Sequence, residues 1–144
     1  MSDKKQVIVM RRDFINPESG KKIKMRRGKE IAQGAHASLA FLGTKFRKSQ
    51  VTITPEGKKV YQIELSPQEE EWLVSHVFKK IVLYVHTEEE LLEVYEKARE
   101  AGLVVELITD SGKTEFLEPT RTCLAIGPDD PEKIDQVTGD LPMY

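Results

Sequence analysis

Three polar side chains that could do chemistry stand close together in the chain: Lys29, Gln33 and His36. Their spacing of i, i+4 and i+7 places them on one stripe of a helix. Small and apolar residues fill the rest of that segment and form a second helical stripe, made of Ile31, Ala35, Leu39 and Leu42. Polar groups aligned on a helix built for tight packing indicate a site. The alternative is a surface lysine, a surface glutamine and a histidine whose hydrogen bonds are satisfied locally.

A second group of candidate residues follows an apolar run at residues 103–108. Asp110 stands just beyond that run, and Gly112 and Thr114 come soon after it. A carboxylate and hydroxyl groups, with a lysine, are enough to position a water molecule and stabilise an oxyanion. The alternative is an ordinary turn, since Asp and Gly are common turn residues.

Other common kinds of site find no support in the sequence. There is no serine or cysteine nucleophile paired with a base, no metal-ligand spacing and no glycine-rich phosphate loop. Cys123 lies within an apolar run predicted to be a strand, which is the wrong place for a nucleophile.

The elements that must position these residues alternate along the chain. Buried strands are predicted at residues 6–11, 80–85, 103–108 and 122–126. Helices are predicted at about 28–43, at 66–76 behind a capping box of Ser66 and Glu69, at 87–102, and in a last short segment that contains Ile134 and Val137. The helix at 28–43 should stop at Gly43, followed by an irregular basic segment over 44–50. This order predicts an α/β fold, a three-layer sandwich in which a four-stranded mixed sheet is flanked by helices.

The connections specify the sheet further. Residues 81–108 should form a right-handed parallel crossover, whereas the short link to the fourth strand favours an antiparallel pair. Sites in open α/β sheets form at the carboxyl ends of parallel strands. Asp110 and Thr114 therefore lie where Lys29 and His36 can reach, so that the four could line one crevice.

Charge is distributed unevenly along the 144 residues. Residues 1–50 hold 13 Lys and Arg against 4 Asp and Glu, whereas the whole chain has a net charge of -2. A basic first third indicates an anionic partner, with phosphate the commonest. The alternative is that the two parts interleave in space and leave a mixed surface.

The single cysteine and the short apolar runs limit the cellular setting. No run is long enough to span a membrane, and no apolar signal region precedes the first strand. Cys123 has no partner within the chain and is expected to be a buried thiol in a reducing compartment. We therefore expect a cytoplasmic protein.

Three blocks together resemble the second, archaeal and eukaryotic type of peptidyl-tRNA hydrolase, in a bacterial-like member. Residues 28–37 read GKEIAQGAHA, similar to the family's G-K-x-x-A-Q-x-x-H-A. Residues 110–114 read DSGKT, similar to D-A-G-R-T, and residues 134–141 read IDQVTGDL, similar to I-D-x-V-T-G-H-L. The resemblance covers roughly residues 5–43 and 78–144.

The resemblance implies hydrolysis of the ester that joins a peptide to the 3′ ribose of tRNA. It implies catalytic roles for Lys29, Asp110 and Thr114, in which Asp110 orients or deprotonates water while Lys29 and a threonine hydroxyl stabilise the oxyanion. Nearby motif positions are expected to bind the substrate, namely Gln33, His36, Thr122, Arg26, Arg27 and Lys113.

The resemblance also bears on partners and cofactors. Phosphates of the tRNA acceptor end would be contacted by Arg11, Arg12, Lys21, Lys22, Lys24, Arg26 and Arg27. Family members are typically homodimers, so a homodimer is expected. No metal and no organic cofactor is implied.

The chain departs from the family pattern at a few places. Lys113 stands where arginine is frequent, Ser111 replaces an alanine, and Asp140 replaces a histidine of the tail. We expect residues 1–144 to form a single domain with a hairpin-containing insertion at about 44–77. An alternative function on the same fold is a non-catalytic module that binds RNA or a protein.

Overall fold

The computed structural model of this chain describes residues 2–113 and 115–144, so that Met1 and Thr114 lie outside the described part. Strands and helices alternate along it. In chain order the elements are β1 (Lys5–Arg11), β2 (Phe14–Ile15), β3 (Lys22–Ile23), α1 (Arg27–Lys48), β4 (Gln50–Ile53), β5 (Lys59–Gln62), α2 (Pro67–Val74), β6 (Lys80–Val85), α3 (Glu88–Glu100), β7 (Val105–Asp110), β8 (Thr120–Asp129) and α4 (Pro131–Thr138).

The main sheet has four strands in the order β6-β1-β8-β7. Strand β1 pairs parallel with β6 and antiparallel with β8, and β7 also pairs antiparallel with β8. The predicted mixed four-stranded α/β sheet is therefore confirmed. Strands β1, β6 and β7 run in the same direction, so their carboxyl ends share one edge of the sheet. The connection through α3 joins the two outer strands and passes over both inner strands.

The two faces of the sheet hold separate apolar cores. Alternation along β1 directs Val7 and Val9 to one face and Ile8 and Met10 to the other. Helices α3 and α4 cover the first face, where Leu91 and Ile134 are fully buried. Helix α1 covers part of the second face. The sheet is thus fixed from both sides, and the strand ends that carry polar residues are held in place.

Helix α1 is longer than the sequence indicates. It continues past Gly43 to Lys48, so the prediction of an irregular segment over residues 44–50 is wrong. The side chain of Arg47 lies over Gly43 and fills the space that a Cβ there would occupy. Three basic residues in the last turn, Lys45, Arg47 and Lys48, also interact favourably with the negative end of the helix dipole.

The apolar stripe of α1 does not pack on the sheet. The buried residues of this helix are Ala37 and Phe41, whereas Ile31 is 67% exposed and Leu39 is 63% exposed. Helical periodicity identifies the stripe but not the surface that it meets. The exposed stripe borders an open groove of about 630 Å³ whose floor includes Ile8 and Met10.

The hairpin expected between residues 51 and 65 is present as β4 and β5. Thr54 and Gly57 close its turn through the hydrogen bond from Gly57 N to Thr54 O, and Gly57 has a φ of 82°. Every residue of the two strands is exposed. Helix α2 follows with the predicted capping box between Ser66 and Glu69, and it ends at Val74 rather than at His76.

Some boundaries differ from the prediction. Strand β7 begins two residues later than expected and includes Asp110, while β8 extends beyond both predicted ends. The pair β2 and β3 was expected to be loop, because two-residue strands carry no periodic signal. Phe14 of β2 is buried and packs on Phe116, with ring centroids 4.7 Å apart. Among the described helices, none is both long and apolar enough to cross a membrane.

Truncating the centre of the sheet tests this account of the core. Leu124 on β8 is fully buried, so we expect Leu124→Ala to lower the free energy of unfolding by about 2–5 kcal/mol. Urea titration followed by circular dichroism measures the change. Leu117→Ala is the matched control, since Leu117 is 56% exposed. Equal losses of unfolding free energy in the two variants would contradict the assignment of Leu124 to the core.

Candidate active site

Lys29 and Asp110 form an ion pair at the edge of the sheet. Lys29 Nζ lies 2.7 Å from Asp110 Oδ1, and the side chains are 14% and 10% exposed. Asp110 is the last residue of β7, and Lys29 lies in the first turn of α1. The sequence prediction that these residues meet is confirmed. The contact joins residues 81 positions apart and fixes the start of the helix against the strand end.

The turn after Asp110 binds the other carboxylate oxygen. The backbone N–H of Gly112 donates to Asp110 Oδ2 over 2.9 Å. Gly112 has a φ of 82°, and a Cβ built there would lie 2.5 Å from the carbonyl carbon of Glu118. Only glycine fits this conformation and this close approach. Both oxygens of Asp110 therefore have a fixed donor, and the carboxylate has one orientation.

These contacts hold the pKa of Asp110 below its ordinary value of 3.8. Burial alone would raise the pKa, but the hydrogen bonds from Lys29 and Gly112 and the positive charge of Lys29 together lower it. Asp110 is therefore ionised at neutral pH. Lys29 also lies 5.6 Å from the ring centroid of buried Phe116, which shields the pair from one side.

A second polar contact lies one turn along α1. The hydroxyl of Thr122 donates to Gln33 Oε1, and Thr122 is fully buried on β8. The thiol of the next residue, Cys123, donates to the backbone oxygen of Gln33. Burial raises the pKa of Cys123 to about 12, so this thiol is protonated and plays a packing role. Gln33 is thus held between the helix and the sheet, next to the Lys29–Asp110 pair.

The remaining predicted site residues are more dispersed. His36 is exposed on α1, and Arg27 and Lys113 are exposed near the pair. Arg26 Nε lies 2.7 Å from Glu115 Oε1. Thr114 falls outside the described residues, and so its predicted catalytic role has no geometry here.

The side chain of Arg11 is held by contacts within the protein at this edge of the sheet. Its side chain donates to the backbone oxygens of Asp13 and Arg121 and lies 3.4 Å from Glu88 Oε2. It also lies over the ring of Phe14, 4.4 Å from its centroid. Arg11 was expected to contact phosphates, and its partner Glu88 was not expected, because Glu88 stands in an acidic run that resembles any solvated helix start.

Glu115 and Phe116 also lie beside the start of α1, and the sequence did not indicate either residue. Both lie in the segment between β7 and β8, where no periodic pattern marks one residue above another. Within residues 2–113 and 115–144, no three His, Cys, Asp or Glu side chains stand close enough to hold a metal ion.

The geometry defines what the site can do. An ionised carboxylate of fixed orientation can accept a hydrogen bond from a water molecule, and the adjacent ammonium group can stabilise negative charge on an oxygen. Arg26 and Lys113 are exposed and lie three residues from Lys29 and from Asp110 in the chain, whereas Arg27 lines the apolar groove. The arrangement is thus able to position a water molecule and to stabilise an oxyanion beside it.

Comparison with known proteins identifies the family. The family "Peptidyl-tRNA hydrolase PTH2" matches residues 4–144. A protein named peptidyl-tRNA hydrolase from Methanopyrus kandleri is 44% identical over 140 residues, covering 96% of this chain and 97% of its own length. Proteins of the same name from Nanoarchaeum equitans and Methanothermobacter thermautotrophicus are 38% and 37% identical, covering 97% and 96% of this chain and 98% of their own lengths. This chain belongs to the PTH2 family of peptidyl-tRNA hydrolases.

The ion pair makes a prediction about titration. In Lys29→Met we expect the pKa of Asp110 to rise above its value in the wild type, because burial remains while the strongest favourable contacts are lost. Carbon-13 NMR of the side-chain carboxyl groups measures it, with Asp110→Asn to assign the signal. The pKa of Asp110 is lower in the folded protein than in the unfolded chain. The ion pair therefore stabilises the fold at pH values above the unfolded-state pKa of Asp110, and this stabilisation is lost as the pH falls through the folded-state pKa.

Lys113→Met is the matched control for this titration. Lys113 is an exposed lysine three residues after Asp110, so its removal should leave the titration of Asp110 nearly unchanged. A similar shift in both variants would mean that general surface charge, and not the contact with Lys29, sets the pKa.

Proposed function

We propose that this peptidyl-tRNA hydrolase cleaves the ester between a peptide, or an N-blocked aminoacyl group, and the 3′ ribose of tRNA at the Lys29–Asp110 pair. The observation that carries the proposal is the 2.7 Å contact between these residues at the carboxyl edge of the sheet. A water molecule oriented by a hydrogen bond to Asp110 attacks the ester carbonyl carbon and gives up a proton as the tetrahedral intermediate forms. The tetrahedral intermediate then expels the ribose oxygen, which takes up a proton, releasing free peptide and tRNA.

The lowered pKa of Asp110 favours an orienting role over that of a strong base. A carboxylate with a low pKa accepts hydrogen bonds well but removes protons poorly at neutral pH. An ester to a ribose hydroxyl is already reactive, so orientation of water and stabilisation of the oxyanion supply the assistance that it needs. Lys29 provides that stabilisation, since its ammonium group lies beside the carboxylate in a part of the surface that excludes most water.

The other family-motif residues are assigned supporting roles. Thr114 shares the stabilisation of the oxyanion, through its hydroxyl. Gln33 and Thr122 bind the substrate near the scissile bond, and their mutual hydrogen bond supports this role because it fixes the amide of Gln33. His36, which is exposed one turn further on, contacts the nucleotide end.

The basic residues near the site bind the tRNA acceptor end. Contacts of this kind raise affinity and make it depend on salt, with little influence on the chemical step. Exposure supports this role for Lys21, Lys22, Lys24, Arg26, Arg27 and Lys113. Arg11 has three partners within the protein, and Arg12 lies over the rings of Tyr84 and Tyr144. Both side chains therefore stabilise this edge of the sheet more than they contact the tRNA.

Three further assignments complete the proposal. Residues 1–144 form one domain in which about residues 44–77 are an insertion that contains the hairpin. The protein acts in the cytoplasm, in keeping with a substrate of translation and with Cys123 as a buried, protonated thiol. It needs no metal or organic cofactor.

The active protein is a homodimer that buries the exposed stripe of α1. A chain that acts alone rarely exposes an apolar groove of this kind. Ile31 and Leu39 project beside Gly34 and Ala35, whose small size lets a second helix approach closely. A two-fold axis would place the same stripe of a second copy against it.

Asp110 tests the reaction. In single-turnover assays with N-blocked aminoacyl-tRNA, we expect Asp110→Ala to release labelled peptide about 100-fold more slowly or worse, with tRNA binding retained. Lys29→Ala should slow the reaction by a similar factor. Cys123→Ala, which removes only a buried thiol, should leave the rate within about threefold. A wild-type protein that binds tRNA without releasing peptide would favour the non-catalytic binding module instead.

Leu39 tests the homodimer. We expect sedimentation velocity to give wild-type protein twice the mass of the chain and Leu39→Glu protein the mass of one chain, since a charge would be buried at the interface. Leu117→Glu is the control, because Leu117 is similarly exposed but does not line the groove. A monomeric wild type would refute the interface.

A further inference from the structure

We propose that the β4–β5 hairpin and the last turn of α1 form a second substrate surface that binds the tRNA acceptor stem. This inference rests on the proposed function and adds to it the part of the tRNA that lies away from the reacting ester. We call the surface the hairpin platform and define it by Phe46, Arg47, Val51, Ile53, Lys58, Lys59 and Tyr61.

The hairpin platform is the most basic exposed segment outside the catalytic edge. Residues 44–63 carry five Lys and Arg against one Glu, in a chain whose net charge is -2. Lys45 is used internally, since its ammonium group lies 3.2 Å from buried Glu69 and donates to the backbone oxygen of Glu64. Arg47, Lys58 and Lys59 are exposed, and none of them ion-pairs with a carboxylate of the described residues.

Helix α1 connects the platform directly with the active site. Lys29 and Arg47 are 18 residues apart, which is five full turns, so both project from the same side of the helix about 27 Å apart. Between them that side carries Ala32, His36, Ala40 and Gly43, most of them small. This side of the helix thus joins the ester to the platform, and it differs from the side of the apolar stripe assigned to the dimer.

Strand β7 places the platform on the same side of the molecule as Asp110. A groove of about 670 Å³ separates the hairpin from the start of this strand and is lined by Gln62, Glu64, Val104 and Glu106. Asp110 ends the same strand, and a strand rises about 3.3 Å per residue. The hairpin and the catalytic carboxylate therefore flank one outer strand of the sheet. A nucleic acid whose 3′ end reaches Asp110 can run along this edge.

The hairpin itself presents a suitable surface. Strand pairing places Ile53 opposite Lys59 and Val51 opposite Tyr61, so all four side chains share one face. The ring of Tyr61 contacts that of Phe46 at a centroid distance of 5.6 Å, which ties this face to the end of α1. The aromatic contact holds this face in position, and the exposed cations beside it are suited to the phosphates of an RNA duplex.

The charge selects this occupant over a second copy of the chain. Two platforms placed face to face would bring like charges together, which is unfavourable. An isolated two-stranded hairpin is also only marginally stable in water, so this exposed hairpin gains from a partner. A polyanion of fixed shape meets both requirements.

The test compares a full-length and a truncated substrate. We expect the triple variant Arg47→Gln, Lys58→Gln, Lys59→Gln to raise KM for full-length N-blocked aminoacyl-tRNA about tenfold, with kcat unchanged. The slope of log KM against log salt should fall by about 3, one for each lost phosphate contact. KM for the same aminoacyl ester on a CCA trinucleotide should not change, because that substrate does not reach the platform.

The control variant removes three cations from the opposite face of the sheet. Lys97→Gln, Arg99→Gln, Lys133→Gln alters the net charge equally on α3 and α4, and it should leave both KM values near those of the wild type. An unchanged KM in the platform variant, an equal rise with the trinucleotide ester, or a changed oligomeric mass would each overturn the inference. A wild type that cleaves neither ester would instead overturn the proposed function, and with it the platform.

Discussion

The ion pair between Lys29 and Asp110 is the contact on which the site depends. It joins the first turn of α1 to the end of the outer strand β7, and each residue determines the state of the other. Lysine keeps the carboxylate ionised despite its burial, and the carboxylate keeps the ammonium group at the edge of the sheet. Neither group would hold its position alone, because a buried charge without a partner is costly. Gly112 completes the arrangement by turning its N–H towards the second carboxylate oxygen.

Helix α1 presents three different surfaces on three of its sides. One side carries Ala37 and Phe41 into the core. A second carries Lys29, His36 and Arg47 in line, from the candidate site to the hairpin. The third carries the exposed apolar stripe. Since a helix turns by 3.6 residues, a single continuous element of 22 residues can present all three at once. Its full length matters for this reason, because a helix that ended at Gly43 would not place Arg47 beside the hairpin.

Much of the fold could be predicted from the sequence. The capping serine before α2, the Pro-Glu-Gly turn of the hairpin and the β-branched strands are local signals, and the structure confirms each. The family motifs indicated that Lys29 and Asp110 belong to the same candidate site. The errors share one cause. Gly43 resembles a helix end, but Arg47 packs over it and the helix continues. The stripe of Ile31 and Leu39 has helical period, but period does not tell which surface a side meets.

By itself the sequence determined the family and the fold class, and it pointed to the two residues that form the ion pair of the candidate site, since motif spacing and local propensity are properties of neighbouring residues. Only the tertiary structure decided which side of α1 faces the sheet, that Arg11 is bound by Glu88 and backbone oxygens, and that Glu115 and Phe116 lie beside the start of α1. These are contacts between residues distant in the chain, and their formation depends on how the elements pack. The lowered pKa of Asp110 belongs with them, because it is set by burial and by a partner 81 residues away.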